Sequence, residues 1–205
     1  MTKEELLKYL LNSGALKSPE IIRAFKVVDR ADFVKPEDKT RAYEDYPLSL
    51  GLGQTISQPT TVALMLELLS LKKGDKILDV GSGSGWTTQL LTKIVGPKGK
   101  VYGLEIVPQL VEFGRANLKK YGDRNAQISR AKKRLGLPPK APFDRILVSA
   151  SANTLPKELL NQLKPGGVMV IPVKTSIFRL TKNLRGEIIS QEFPGFVFVP
   201  LIESS

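Results

Sequence analysis

The residues best suited to chemistry lie in one run, Ile77-Leu78-Asp79-Val80-Gly81-Ser82-Gly83-Ser84-Gly85-Trp86, where an apolar stretch meets three alternating glycines. Glycine serves where a chain turns with positive φ or where a ligand approaches the backbone. The apolar stretch reads as a strand, and open α/β sheets bind ligands beyond the carboxyl ends of their strands. Asp79, Gly81, Ser82, Gly83 and Gly85 are therefore candidate ligand contacts. A second acid, Glu105, closes the run Val101-Tyr102-Gly103-Leu104-Glu105, twenty residues past Gly85, with Ile106 behind it. A carboxylate there can accept hydrogen bonds from two vicinal ribose hydroxyls. A dinucleotide fingerprint would read G-x-G-x-x-G. Here the spacing is G-x-G-x-G with Trp86 following, which weakens the nicotinamide dinucleotide reading.

Composition removes other chemistries. The chain has no cysteine and no histidine. Disulfides, thiol nucleophiles and Cys/His zinc sites are excluded, as are a Ser-His-Asp triad and a histidine general base. No metal is expected. No apolar stretch approaches the roughly 20 residues that a membrane span needs. Met1 to Lys8 is polar and charged, with no apolar signal core behind it. These features lead to the expectation of a cytoplasmic protein without a membrane association; a monomer is expected.

The elements around the glycine run follow from periodicity. Thr2 and Glu5 form a capping-box pattern ahead of Leu6, Leu7, Leu10 and Leu11. Pro19 opens a second helix carrying Ile21, Ile22, Phe25 and Val28. Arg30 to Pro59 reads as an irregular stretch too long to be a mere connector, and 59–71 as a helix. From Lys76 the rhythm is β-α-β-α: strands at 76–80, 100–104, 126–129, 143–150 and 167–173, with helices at 86–95, 108–121 and 155–163. This alternation predicts a mainly parallel sheet with helices on both faces. Turn signals at Asn183 to Gly186 and at Pro194-Gly195 divide the tail into antiparallel strands.

The chain carries a formal charge of +11, concentrated from Arg115 to Lys140 as nine basic residues against Asp123 alone. An acidic partner, nucleic acid or an acidic protein, is one reading of that segment. A solvated basic face is the other.

The glycine run, Glu105 and Leu163-Lys164-Pro165-Gly166-Gly167 resemble the motifs of class I methyltransferases, which use S-adenosyl-L-methionine. From about Ile22 to Leu201 the chain further resembles the protein-L-isoaspartate O-methyltransferases. The resemblance rests on Asp29-Arg30-Ala31-Asp32-Phe33-Val34, Ala42-Tyr43-Glu44-Asp45, Pro47-Leu48 and, above all, Gly53-Gln54-Thr55-Ile56-Ser57-Gln58-Pro59. Ala141 to Ile146, Gln162 to Gly167 and Phe198 to Leu201 follow the same template. The resemblance implies a Rossmann-like α/β domain over 1–205, with an N-terminal helical and substrate-loop region (1–74) and a cofactor-binding region (75–205). It implies methylation of the free carboxylate of L-isoaspartyl residues in damaged proteins. It also implies that the Ser57 hydroxyl positions that carboxylate, while Gln54, Thr55 and Ile56 line the substrate pocket. The bland reading of Ser57 is a cap for the helix near Pro59.

The chain departs from the template after the third Rossmann strand. Where the family has an acid that contacts the adenine amino group, the alignment places Lys132, whose ammonium has only donors. That departure, inside the basic run, keeps two alternatives open: a divergent paralogue acting on nucleic acid or another acidic substrate, and a non-catalytic binding module.

Overall fold

A computed structural model describes residues 1–132 and 134–202. The N-terminal region is helical: α1 (Lys3–Asn12), α2 (Pro19–Val27) and α3 (Pro59–Leu69). The expected capping box is formed, with the Glu5 N–H donating to Thr2 Oγ1 at 3.2 Å and the Thr2 N–H donating to Glu5 Oε2 at 2.7 Å. The stretch between α2 and α3 has more order than its composition suggests. It holds 3₁₀ turns at Arg30–Asp32 and Pro36–Arg41 and an antiparallel hairpin, β1 (Leu48–Gly51) with β2 (Gln54–Ile56).

The remaining elements are β3 (Lys76–Val80), α4 (Trp86–Val95), β4 (Lys100–Glu105), α5 (Pro108–Lys119), β5 (Ala126–Arg130), β6 (Phe143–Val148), α6 (Lys157–Gln162), β7 (Leu163–Val173), β8 (Ser176–Lys182) and β9 (Ile188–Pro194). They build a seven-stranded sheet in the order β5-β4-β3-β6-β7-β8-β9. The strands β5 to β7 run parallel, and β8 and β9 close the far side antiparallel. This is the expected Rossmann-like arrangement. The chain leaves β3 in one direction for β4 and β5, then crosses back to β6 on the other side of β3. That reversal opens a crevice at the ends of β3 and β6, where sheets of this kind take ligands.

Both sheet faces are covered, so the central strands bury apolar residues on both sides rather than at alternate positions alone. Ile77, Val101, Leu147, Val168 and Val170 face a core shared with α1, α2, α3 and α4. Their neighbours Leu78, Val80, Ile146, Val148, Met169 and Ile171 face the other side, with Leu159 of α6 and the partly buried Leu135 and Leu137.

Several element ends differ by one or two residues from expectation, and the largest difference, at the junction of α6 and β7, has a local reason. Helix α6 begins after Pro156 and is two residues shorter at its start than predicted, and it stops where Leu163 turns extended at ψ 130°. Leu163 pairs with Phe143 and so begins β7 four residues before Gly167.

Candidate functional site

The end of β3 delivers the chain into a turn in which Gly81, Gly83 and Gly85 have φ of 78°, 51° and 88°. The N–H groups of Gly81 and Ser82 both donate to the Leu104 carbonyl, at 2.8 and 3.0 Å, which ties the turn to the end of β4. Glu105 completes the tie. Its Oε2 accepts from the Gly83 N–H at 2.8 Å and its Oε1 from the Val107 N–H at 2.9 Å. A carboxylate offers about four lone-pair sites, so the two bonds leave capacity for ligand hydroxyls.

The turn lies on the wall of a cavity of about 440 Å³ at the mouth of the sheet. Of the residues expected at the site, Gln54, Thr55, Ile56, Ser57, Gly81, Ser82, Gly83, Glu105 and Ile106 all line it. Asp79 and Gly85 are not among the lining residues. Asp79 is fully buried, and its Oδ2 accepts from the hydroxyls of Thr87 at 2.9 Å and Thr88 at 2.6 Å. It thus ties β3 to the first turn of α4. Burial, with a smaller push from Glu105, raises its carboxyl to about 6. Gly85 serves packing: a Cβ there would lie 3.1 Å from Ile128 Cδ1 and 3.2 Å from the Gly114 carbonyl oxygen.

Ser57 follows β2 and precedes α3. It does not cap that helix: the N-cap residue is Gln58. Asp45 does the work from across the loop, accepting from the Thr60 N–H at 2.8 Å, the Thr60 hydroxyl at 2.7 Å and Gln58 Nε2 at 3.0 Å. The Ser57 carbonyl accepts from Arg30 at 3.1 Å, while its hydroxyl has no hydrogen bond among the described residues. A half-buried serine on a cavity wall is thereby left with its hydroxyl for a ligand.

Other walls were less visible in the sequence. Ser149 and Ala150, just past the end of β6, contribute one part, and Trp86 and Thr87 at the start of α4 another. Lys132, Arg134 and Glu158 bring charge to the cavity. Val199 to Ile202 form a further wall, held by the Ser151 N–H donating to Val199 O and the Leu201 N–H donating to Ser151 O, both at 2.8 Å. The run Phe198 to Leu201 had marked this tail by resemblance, without its place in the fold. Nothing local marks Ser149, Arg134 or Glu158, which reach the cavity only through the sheet order.

The wall fits S-adenosyl-L-methionine. Ser82 Oγ and Trp86 Nε1 are buried, belong to lining residues and lack a hydrogen-bond partner among the described residues. Native proteins rarely leave such atoms unsatisfied, and a polar ligand supplies the missing partners. Among the described residues no group of three or more acidic side chains is placed to hold a metal ion.

A ligand-sized cavity at the switch point of a mainly parallel sheet, with a glycine turn and an acid at the end of the next strand, defines a class I methyltransferase that uses S-adenosyl-L-methionine. The family model for protein-L-isoaspartate(D-aspartate) O-methyltransferase matches residues 1–205, and the chain belongs to that family. It is 43% identical over 206 residues to the protein-L-isoaspartate O-methyltransferase of Ignicoccus hospitalis, covering 98% of this chain and 97% of that one. It is likewise 43% identical to the enzyme of the same name from Methanopyrus kandleri, covering 98% and 91%. A Plasmodium falciparum crystal structure, described as a protein-L-isoaspartate O-methyltransferase in complex with S-adenosyl-L-homocysteine, superposes with a TM-score of 0.87 at 29% identity, covering 99% of both chains.

Proposed function

We propose that this protein, a cytoplasmic monomer, transfers the methyl group of S-adenosyl-L-methionine to the free α-carboxylate of L-isoaspartyl residues in damaged proteins. The observation that carries the reading is the unengaged Ser57 hydroxyl on the same cavity wall as the glycine turn and Glu105.

When bound, the cofactor supplies a methyl group activated on a sulfonium. Gly81, Ser82 and Gly83 would hold it through the turn, Glu105 would accept from its ribose hydroxyls, and Ile106 would pack against it. Gln54, Thr55 and Ile56 line the passage between cofactor and substrate. The Ser57 hydroxyl donates to the substrate carboxylate and fixes its direction. A carboxyl with a pKa of about 3.9 is already ionised at neutral pH. The nucleophile therefore needs no base, in keeping with a chain that has no histidine. The residues present strip water from the anion and align it, which are the tasks that remain. The resulting methyl ester, unlike the carboxylate, has a group that can depart: the neighbouring main-chain nitrogen attacks the ester carbonyl, gives up its proton and expels methanol, closing a succinimide whose hydrolysis can give normal aspartyl.

The test is labelled methyl transfer to matched peptides. An isoaspartyl peptide should be methylated and its aspartyl twin ignored; equal labelling of both, or of neither, rejects the proposal.

A further inference from the structure

Ser57 can direct a carboxylate only if its loop is fixed relative to the cofactor turn, and the loop's own secondary structure is slight: β2 is three residues long. The rigidity comes from Arg30. Its side chain is 2% exposed and sits beneath the loop, outside the cavity wall. Nη1 donates to the carbonyls of Ala42 at 2.6 Å and Glu44 at 3.3 Å. Nη2 donates to the carbonyls of Tyr46 and Ser57, both at 3.1 Å. One guanidinium thus joins the segment before the hairpin to the serine after it. The same group lies 5.2 Å over the ring of Trp86, the first residue of α4 and part of the cavity wall. Buried carbonyls rarely converge on a cation without cause, and a cation is rarely buried without a counter-charge. Asp45, which anchors Gln58 and Thr60 on the other side of the serine, supplies that charge. Burial lowers the guanidinium to about 10, which leaves it protonated at neutral pH.

We infer that Arg30 is a positioning residue for methyl transfer: it fixes the Ser57 loop against Trp86 and so sets the serine's place relative to the cofactor turn. Lysine cannot replace it, because three donors on a point charge cannot reproduce a planar fork that reaches four carbonyls and stacks on a ring. The inference rests on the role proposed for Ser57.

The test compares Arg30→Lys, Ser57→Ala and the double variant in steady-state turnover of an isoaspartyl peptide, with S-adenosyl-L-homocysteine affinity measured by calorimetry. Misplacement of a reacting group by about 1 Å costs on the order of 100-fold, so Arg30→Lys should lower kcat by roughly 30- to 100-fold while cofactor-product affinity changes less than about 3-fold. In the Ser57→Ala background the same substitution should cost less than about 3-fold more, since residues acting through one another are non-additive. Arg30→Ala, where it folds, should regain turnover with millimolar ethylguanidinium. Wild-type turnover in Arg30→Lys overturns the inference, and so does a parallel loss of affinity and turnover. Losses that multiply in the double variant do the same. If Ser57→Ala alone leaves kcat unchanged, the serine's role fails on its own account. That result takes the inference down with it, whereas a Ser57→Ala loss beside wild-type turnover in Arg30→Lys overturns the inference alone.

Discussion

Ser57 and Lys132 are the residues whose side chains decide most. The Ser57 hydroxyl would contribute one hydrogen bond to a charged acceptor, worth about 1.5–3 kcal/mol. Ser57→Ala should therefore slow turnover by roughly 10- to 100-fold, with S-adenosyl-L-homocysteine affinity held within about 2-fold in calorimetry. An equal loss of both would move Ser57 to the cofactor. Lys132 lines the cavity at the position where the family resemblance implies an acid for the adenine amine. Lys132→Asp should tighten cofactor binding by about 1 kcal/mol, the net worth of one such hydrogen bond. Calorimetry showing unchanged or weaker binding would reject that placement of the adenine. Lys133 lies outside the described residues. The other eight basic residues of 115–140 are exposed, and Arg115 and Lys120 are paired with Glu112 and Asp32 at 2.7 and 3.4 Å.

At the scale of elements, the β3-turn-α4 unit owes its shape to residues away from the ligand. Gly85 has φ 88° and faces the Gly114 carbonyl on α5. Gly85→Ala should cost about 1–3 kcal/mol from backbone strain alone, read as a lower denaturation midpoint. Asp79 gives the unit a pH dependence. Its folded carboxyl is raised to about 6 against an ordinary 3.8, so between about pH 4 and 6 the folded state binds more protons than the unfolded state. Stability then falls as pH rises through that window, by about 2–3 kcal/mol in all, and levels off above it. Asp79→Asn should abolish this slope in denaturant titrations; an unchanged slope would show that other groups cause it. The β-α rhythm made this half of the molecule legible, because period and length were unambiguous in strands buried on both faces. The β1-β2 hairpin was not legible. Strands of four and three residues joined by Leu52-Gly53 are too short for alternation to show, and Gly51 and Gly53 read as loop. Arg30 was seen only as part of a motif, since its meaning lies in carbonyls up to 27 residues away.

Over the whole molecule, three distant stretches of chain meet at one cavity: the serine loop before the sheet, the glycine turn within it and the tail at Val199 to Ile202. Sequence separations this large are bridged only by the order of the sheet, and so the assembled site was less legible than its parts. The tail's tie to Ser151 sets one wall just past the end of β6. The account predicts one arrangement of donor and acceptor across that space. The most direct measurement is a crystal structure with S-adenosyl-L-homocysteine and an isoaspartyl peptide bound together. It should place the thioether sulfur beside the glycine turn and the isoaspartyl carboxylate within hydrogen-bond reach of Ser57 Oγ, facing that sulfur. A peptide seated elsewhere, or a carboxylate turned away from the serine, would contradict it.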